Sequence, residues 1–155
     1  MSSWGLQKYS LVKKYSGNHI ILATGARSRE LPNLPQDGKK VIGYRQALSL
    51  PTQPKSMIVV GSGAIGVEFA DFYNTMGTKV TIVEFMPNIL PVEDEEVSKH
   101  VEKSLKKSGI SIMTKASVES VDTTGEGVKA KVKTEKGEEI LEADILLSAV
   151  GIAAN

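Results

Sequence analysis

No cysteine occurs in the 155 residues, and histidine occurs only twice, at His19 and His100. Disulfide frameworks, thiolate chemistry and zinc sites of the Cys/His type are thereby excluded for this chain on its own, so any redox role must use a borrowed cofactor. Aromatic residues are scarce, at 5%, and neither charge sign dominates: 19 Lys+Arg stand against 18 Asp+Glu, a formal charge of +1. No basic nucleic-acid surface is expected from that balance. With 41% hydrophobic and 24% charged residues, the composition is that of a globular domain rather than a disordered segment. No apolar run approaches the ~20 residues a membrane helix needs. Residues 1–14 also lack the apolar core of a secretory signal. No membrane partner is expected, and the reading places the chain in the cytoplasm. The opening Met1-Ser2-Ser3 is consistent both with a natural start and with an expression remnant. The length suits one ordinary domain and is too short for two cofactor domains plus a substrate domain.

Glycine and β-branched residues organise what is present. Residues 1–17 show no clear periodicity and are expected to be irregular. Residues 18–54 read as a short buried strand, His19-Ile20-Ile21-Leu22-Ala23-Thr24 closed by Gly25, followed by a turn-rich connector with Pro32, Pro35 and Gly38. A short helix is expected over residues 44–49. Residues 55–155 then carry a coherent pattern. The strand Met57-Ile58-Val59-Val60 leads into Gly61-Ser62-Gly63-Ala64-Ile65-Gly66, and a helix follows with Ile65, Phe69, Phe72, Tyr73 and Met76 at helical spacing, capped by Gly77. Lys79-Val80-Thr81-Ile82-Val83, ending at Glu84, completes a βαβ unit of the expected ~30 residues.

Pro91 leads to a second helix, in which Val97, Val101 and Leu105 repeat every fourth residue. Glu93, Asp94, Glu95 and Glu96 stand near its start and Lys103, Lys106 and Lys107 near its end, a charge order that suits the helix dipole. A third short strand is expected over residues 110–113 after Gly109. From Val118 the period changes to two, clearest where Val128, Ala130 and Val132 alternate with lysines, and this predicts an antiparallel three-stranded β-meander. Ile145-Leu146-Leu147-Ser148-Ala149-Val150 reads as a strand buried on both faces that returns to the parallel sheet, with Gly151 just past its end. The fold class is therefore α/β: a Rossmann-like βαβ parallel sheet with helices on its faces, plus the meander.

A lone G-x-G-x-x-G says little, but this one joins a buried strand to an amphipathic helix and is followed by an acidic strand end. Gly61 permits the tight turn, Gly63 lets the backbone approach a pyrophosphate, and Gly66 lets the helix lie close to the strand. Backbone N–H groups near Ala64, Ile65 and Gly66, with the helix dipole, then face the phosphates. The competing reading is a glycine turn used only for packing. Glu84, 18 residues after Gly66, is placed to accept hydrogen bonds from the adenosine ribose, and its alternative is an ordinary solvated strand-end acid. If it faces the ribose, a 2'-phosphate would bring like charge within about 4 Å, costing ~1 to 4 kcal/mol. Phe85 and Met86 follow and no arginine stands beside Glu84, so NAD is favoured over NADP. On pattern alone, Glu68 fits a partly exposed helical acid as well as a functional one. His19 and His100 lack metal-ligand spacing and no metal is expected; the run from Glu93 to Glu96 suits a helix start better than a divalent ion. Ser62 has no histidine partner, so the turn is no nucleophile elbow.

Several motifs in order carry a resemblance to a known family. They are Ala23-Thr24-Gly25, Val60-Gly61-Ser62-Gly63-Ala64-Ile65-Gly66-Val67-Glu68, Val83-Glu84 with Ile89-Leu90-Pro91, and Ala149-Val150-Gly151. The resemblance they carry runs from Ile21 to Asn155, about 135 of the 155 residues. The chain resembles the NAD-binding domain of the dihydrolipoamide dehydrogenases, FAD-dependent pyridine nucleotide-disulfide oxidoreductases. The resemblance implies a domain that holds NAD with its nicotinamide directed at the flavin of a neighbouring domain. It implies a nicotinamide and flavin-side role for Glu68, an adenine contact at Val118 and a nicotinamide-side position for Gly151. It also implies a homodimeric FAD enzyme associated with 2-oxo acid dehydrogenase complexes. The family's redox cysteine pair and His-Glu acid/base pair have no counterpart here. Its common Gly-Arg-x-Pro-Asn ending is Gly151-Ile152-Ala153-Ala154-Asn155 in this chain. The expectation is a fragment of a larger oxidoreductase, itself inactive, whose FAD and dimerisation domains lie elsewhere. Another flavoprotein disulfide reductase, an NADH oxidase, or a non-catalytic NAD-binding module are the other readings.

Overall fold

The computed structural model describes residues 15–155. Most of the segment expected to be irregular, residues 1–14, lies outside the described residues. The described chain runs β1 (Ala26–Ser28), β2 (Val41–Ile42), α1 (Tyr44–Ala47), β3 (Ser56–Val60), α2 (Ala64–Thr75), β4 (Lys79–Val83), α3 (Glu95–Lys107), β5 (Ser111–Met113), β6 (Ser117–Asp122), β7 (Val128–Thr134), β8 (Gly137–Ala143), β9 (Ile145–Ser148) and β10 (Ile152–Ala154).

Five of these strands form one parallel sheet in the order β2-β9-β3-β4-β5. Their apolar runs are continuous because both faces of the sheet are covered. Along β3, Met57 and Val59 pack with Ala47, Ala70, Tyr73 and Leu105, contributed by the three helices. Ile58 and Val60 point the other way, against Val118, Val128, Ala130 and Val132 of the meander. The three helices thus bury residues against the same face, and the antiparallel sheet β6-β7-β8 covers the opposite one. Leu34, from the turn-rich connector, is fully buried beneath the meander. An Asp144 latch sets the register of β3 against β9: its Oδ2 accepts from the N–H groups of Lys55 (2.6 Å) and Ser56 (3.1 Å), while its own N–H donates to Ser56 Oγ.

Both long helices end as their glycines require. Gly77 and Gly109 each have φ +98°, and the N–H groups of Thr78 and Ile110 reach back to the carbonyls of Tyr73 and Leu105, closing Schellman motifs. At the start of α3, Asp94 caps the N–H groups of Glu96 and Val97, and Glu95 and Glu96 complete an acidic first turn.

Two expectations are corrected. Residues 18–24 form no strand: Ile20, Ile21 and Leu22 are 71%, 89% and 87% exposed. A buried strand needs neighbours, and no described strand runs beside this stretch. The chain pairs only further on, where β1 lies antiparallel to β10. Val97 is also exposed, at 52%, while Ser98 is buried and donates through Oγ to the Leu90 carbonyl. The helix is rotated so that Val101 and Leu105, without Val97, meet the core.

One turn has a measurable pH signature. Asp37 Oδ1 accepts from the N–H groups of Lys39, Lys40 and Val41 at 2.8, 2.8 and 2.9 Å. Desolvation pushes its carboxyl up, but these three donors and the Lys40 charge outweigh that and hold it below the usual carboxylate range. A depressed carboxylate contributes stability above its unfolded pKa, about 3.9, and that contribution is lost as pH falls through the folded value. Because Asp37 is exposed, the contribution is at most about 1 kcal/mol. Urea denaturation of Asp37→Asn should show lower stability than the parent at pH 7 and convergence with it in acid, once the folded carboxyl is protonated. A difference that persists at low pH would assign the effect to something other than ionisation.

Candidate functional site

The sheet order reverses at β3, which is flanked by β4 on one side and by the late strand β9 on the other. Crevices at such reversals, beyond the carboxyl ends of the strands, are where open α/β sheets bind ligands. The ends of β3, β4 and β9 open there onto a groove of about 760 Å³.

The glycines divide by role. Gly61, at φ +97°, donates its N–H to the Val83 carbonyl, and a Cβ on it would stand 2.6 Å from the Ala149 carbonyl oxygen. A Cβ on buried Gly66 would overlap the Gly61 carbonyl oxygen. These two glycines are required by packing. Gly63 differs, since a Cβ there would meet nothing within 4 Å. It lines the groove as the N-cap of α2 and offers no capping side chain, and the first turn carries no acid. The contrast with the fully capped start of α3 is direct. α2 presents uncapped backbone donors and the positive end of its dipole to the groove.

Glu84 is 7% exposed and lines the same groove beside the glycine turn. Its Oε2 accepts from the Ser62 N–H at 2.7 Å and from the Ser62 Oγ–H at 2.6 Å, and its Oε1 accepts from the Met86 N–H at 2.7 Å. A carboxylate oxygen offers about two lone-pair sites, so Oε2 is filled and Oε1 keeps one. The solvated-acid reading of Glu84 is thereby set aside. Leu90, at φ +47°, donates its N–H to the Ser62 carbonyl, so the turn is braced from outside as well.

Of the residues singled out in the sequence, Gly61, Gly63, Ala64, Ile65, Glu84, Val118 and Gly151 all line this one groove. Gly66 lies behind it in the packing. Glu68 is exposed on α2 and is outside the lining. Val118 is buried, and its carbonyl accepts from Asn33 Nδ2 at 2.6 Å. Gly151, at φ +106°, accepts the Arg29 N–H at 2.9 Å. Arg29 and Asn33 were not foreseen. Arg29 is the one Lys or Arg among the lining residues, and no local pattern marks it, because a connector 32 residues before Gly61 reaches the groove only through tertiary folding. The divergent ending, Ile152-Ala153-Ala154, forms β10, and Arg27 Nη1 donates to the Ala154 carbonyl and to Asn155 Oδ1. Among the described residues, no group of three or more His, Cys, Asp or Glu side chains could hold a metal. A smaller cavity of about 360 Å³ lies at the open end of the meander, where Lys129 and Glu142 pair with each other at 2.8 Å.

Fold and groove together define a Rossmann-like domain of the kind found in flavoprotein reductases. A family model for pyridine nucleotide-disulphide oxidoreductases matches residues 5–155, and the chain belongs to that family. A dihydrolipoyl dehydrogenase of Rhizobium etli is 48% identical over 142 residues, which are 91% of this chain and 30% of that protein. A mitochondrial dihydrolipoyl dehydrogenase of Pisum sativum is 41% identical over 137 residues, 87% of this chain and 27% of that protein. The crystal structure of LpdA from Mycobacterium tuberculosis matches with a TM-score of 0.76 at 35% identity, covering 85% of this chain and 28% of that one. The chain spans about 30% of the length of the curated relatives it matches.

Proposed function

We propose that this chain is the NAD(H)-binding domain of a FAD-dependent dihydrolipoyl dehydrogenase. The observation that carries the reading is the uncapped start of α2 at a glycine turn, in a groove that is also lined by the buried carboxylate of Glu84, bound to that turn. In this reading the free N–H groups of Ala64, Ile65 and Gly66 hold the pyrophosphate, and Gly63 allows the close approach. The remaining lone pair of Glu84 Oε1 accepts from an adenosine ribose hydroxyl. Val118 packs against the adenine, Gly151 lies on the nicotinamide side, and Arg29 adds positive charge beside the phosphates.

When bound, NAD supplies a hydride acceptor; the chain's contribution is to bind it, orient it and exclude water around it. Glu68, exposed on α2, is available to a neighbouring flavin domain and is assigned the flavin-side role. The redox disulfide of this chemistry must come from outside these 155 residues, which contain no cysteine. The FAD and dimerisation domains, and a 2-oxo acid dehydrogenase complex, are the partners this reading requires.

Titration calorimetry of the chain with NADH and NADPH tests the proposal. NADH is expected to bind, NADPH more weakly, and the isolated chain should reduce no disulfide. Tighter binding of NADPH would overturn the specificity, and no binding of either would overturn the domain's assignment.

A further inference from the structure

The second residue of the glycine turn is usually treated as free to vary, since the fingerprint specifies only the glycines. In this chain it is not free. Ser62 is fully buried, and both of its donors, the backbone N–H and the Oγ–H, are spent on the same oxygen of Glu84. Its carbonyl is held from the far side by the Leu90 N–H at 2.9 Å. Ser62 therefore stands clamped between the loop after β4 and the carboxylate at the end of β4. The Met86 N–H fixes the other oxygen, Oε1, at 2.7 Å. Three donors leave the carboxylate no freedom to rotate and one open acceptor site to offer.

We infer that Ser62 is a positioning residue for nucleotide selectivity: its hydroxyl locks Glu84 Oε2 so that Oε1 alone meets the ribose and the carboxylate cannot swing aside for a 2'-phosphate. The inference rests on the proposed NAD(H) site. Rejecting a 2'-phosphate by charge requires that the charge stay in place. A glutamate side chain has three rotatable bonds, and an exposed one would turn away from the phosphate at small cost. The Ser62 hydroxyl is the only side-chain donor found on this carboxylate among the described residues. It is also a removable one, because losing it leaves both backbone donors in place.

The test uses the 155-residue chain with Ser62→Ala and Ser62→Cys. The second variant fills the buried space with a weaker donor. Each is titrated with NADH and with NADPH, alongside a thermal melt. Freeing the carboxylate to turn from a 2'-phosphate relieves part of the like-charge repulsion, which corresponds to about a tenfold change in the NADPH Kd. The ratio of the NADPH Kd to the NADH Kd should therefore fall about tenfold in Ser62→Ala and by less in Ser62→Cys. A merely structural serine would weaken both nucleotides together, or lower the melting temperature with the ratio unchanged. Either result overturns the inference while leaving the NAD(H) site standing. Failure of the parent chain to bind NADH would overturn both.

Discussion

Gly66→Ala is expected to cost ~3 kcal/mol or more of folding stability, whereas Gly63→Ala, three residues earlier, is expected to cost under about 1 kcal/mol and yet weaken nucleotide binding about tenfold or more. The added methyl at Gly66 would overlap the Gly61 carbonyl oxygen, a backbone atom of the same turn. It can be accommodated only by moving α2 away from β3. Gly61 has no slack either: it sits at φ +97°, and any side chain on it would press on the Ala149 carbonyl oxygen. With domain stabilities of about 5–15 kcal/mol in total, one such methyl removes a large share. Gly63 has φ −66° and open space where its Cβ would be, so the fold tolerates alanine. That open space is what a pyrophosphate would occupy, and at least a tenfold loss of NADH binding follows if it does. Urea denaturation and NADH titration of both variants check the pair of outcomes. Equal stability loss at the two positions would refute the division of roles between these glycines.

Glu84→Arg is expected to destabilise the chain by roughly 3 kcal/mol or more, because three donors lose their acceptor together. From the sequence this substitution looks like a simple swap of nucleotide preference. The structure changes that expectation, since Ser62 N–H, Ser62 Oγ–H and Met86 N–H all depend on this one buried carboxylate. A guanidinium at the same place would offer only further donors to those already unpaired. Glu84→Gln is the cleaner probe of selectivity. It keeps the shape and one acceptor oxygen, costs about 1–2 kcal/mol, and removes the like charge facing a 2'-phosphate. NADPH binding should improve relative to NADH in Glu84→Gln. Denaturation at pH 7 checks the first expectation: a Glu84→Arg chain within about 0.5 kcal/mol of the parent would show that the carboxylate does not hold the turn.

Both outcomes show where local pattern stops being informative. The Met57 to Val60 strand, the glycine turn, the period-two alternation of Val128, Ala130 and Val132, and the acid at Glu84 are visible in order along the chain. They are visible because strand period, helix period and turn chemistry are properties of neighbouring residues. The run from Ile20 to Leu22 has the same apolar look and forms no strand, because burial depends on what lies alongside. Val97 keeps the right spacing and still faces solvent, since spacing sets a stripe but not how far it rotates into the core. Glu68 carries no local sign of its surroundings; its place outside the groove emerges from the direction of α2.

The sequence by itself determined a βαβ unit with a glycine turn, a meander and a final buried strand, together with the residues near that turn that line the groove. The tertiary structure alone decided that the meander covers the face opposite the helices, and that Ala149, just past β9, seats its carbonyl against Gly61. It also decided that Arg29 and Asn33 come to the groove from the connector and that Ser62 is tied to Glu84. Those choices depend on contacts between residues 22 to 122 positions apart. Hydrophobic periodicity holds no information over such distances, because it records which side of an element is buried and not what buries it.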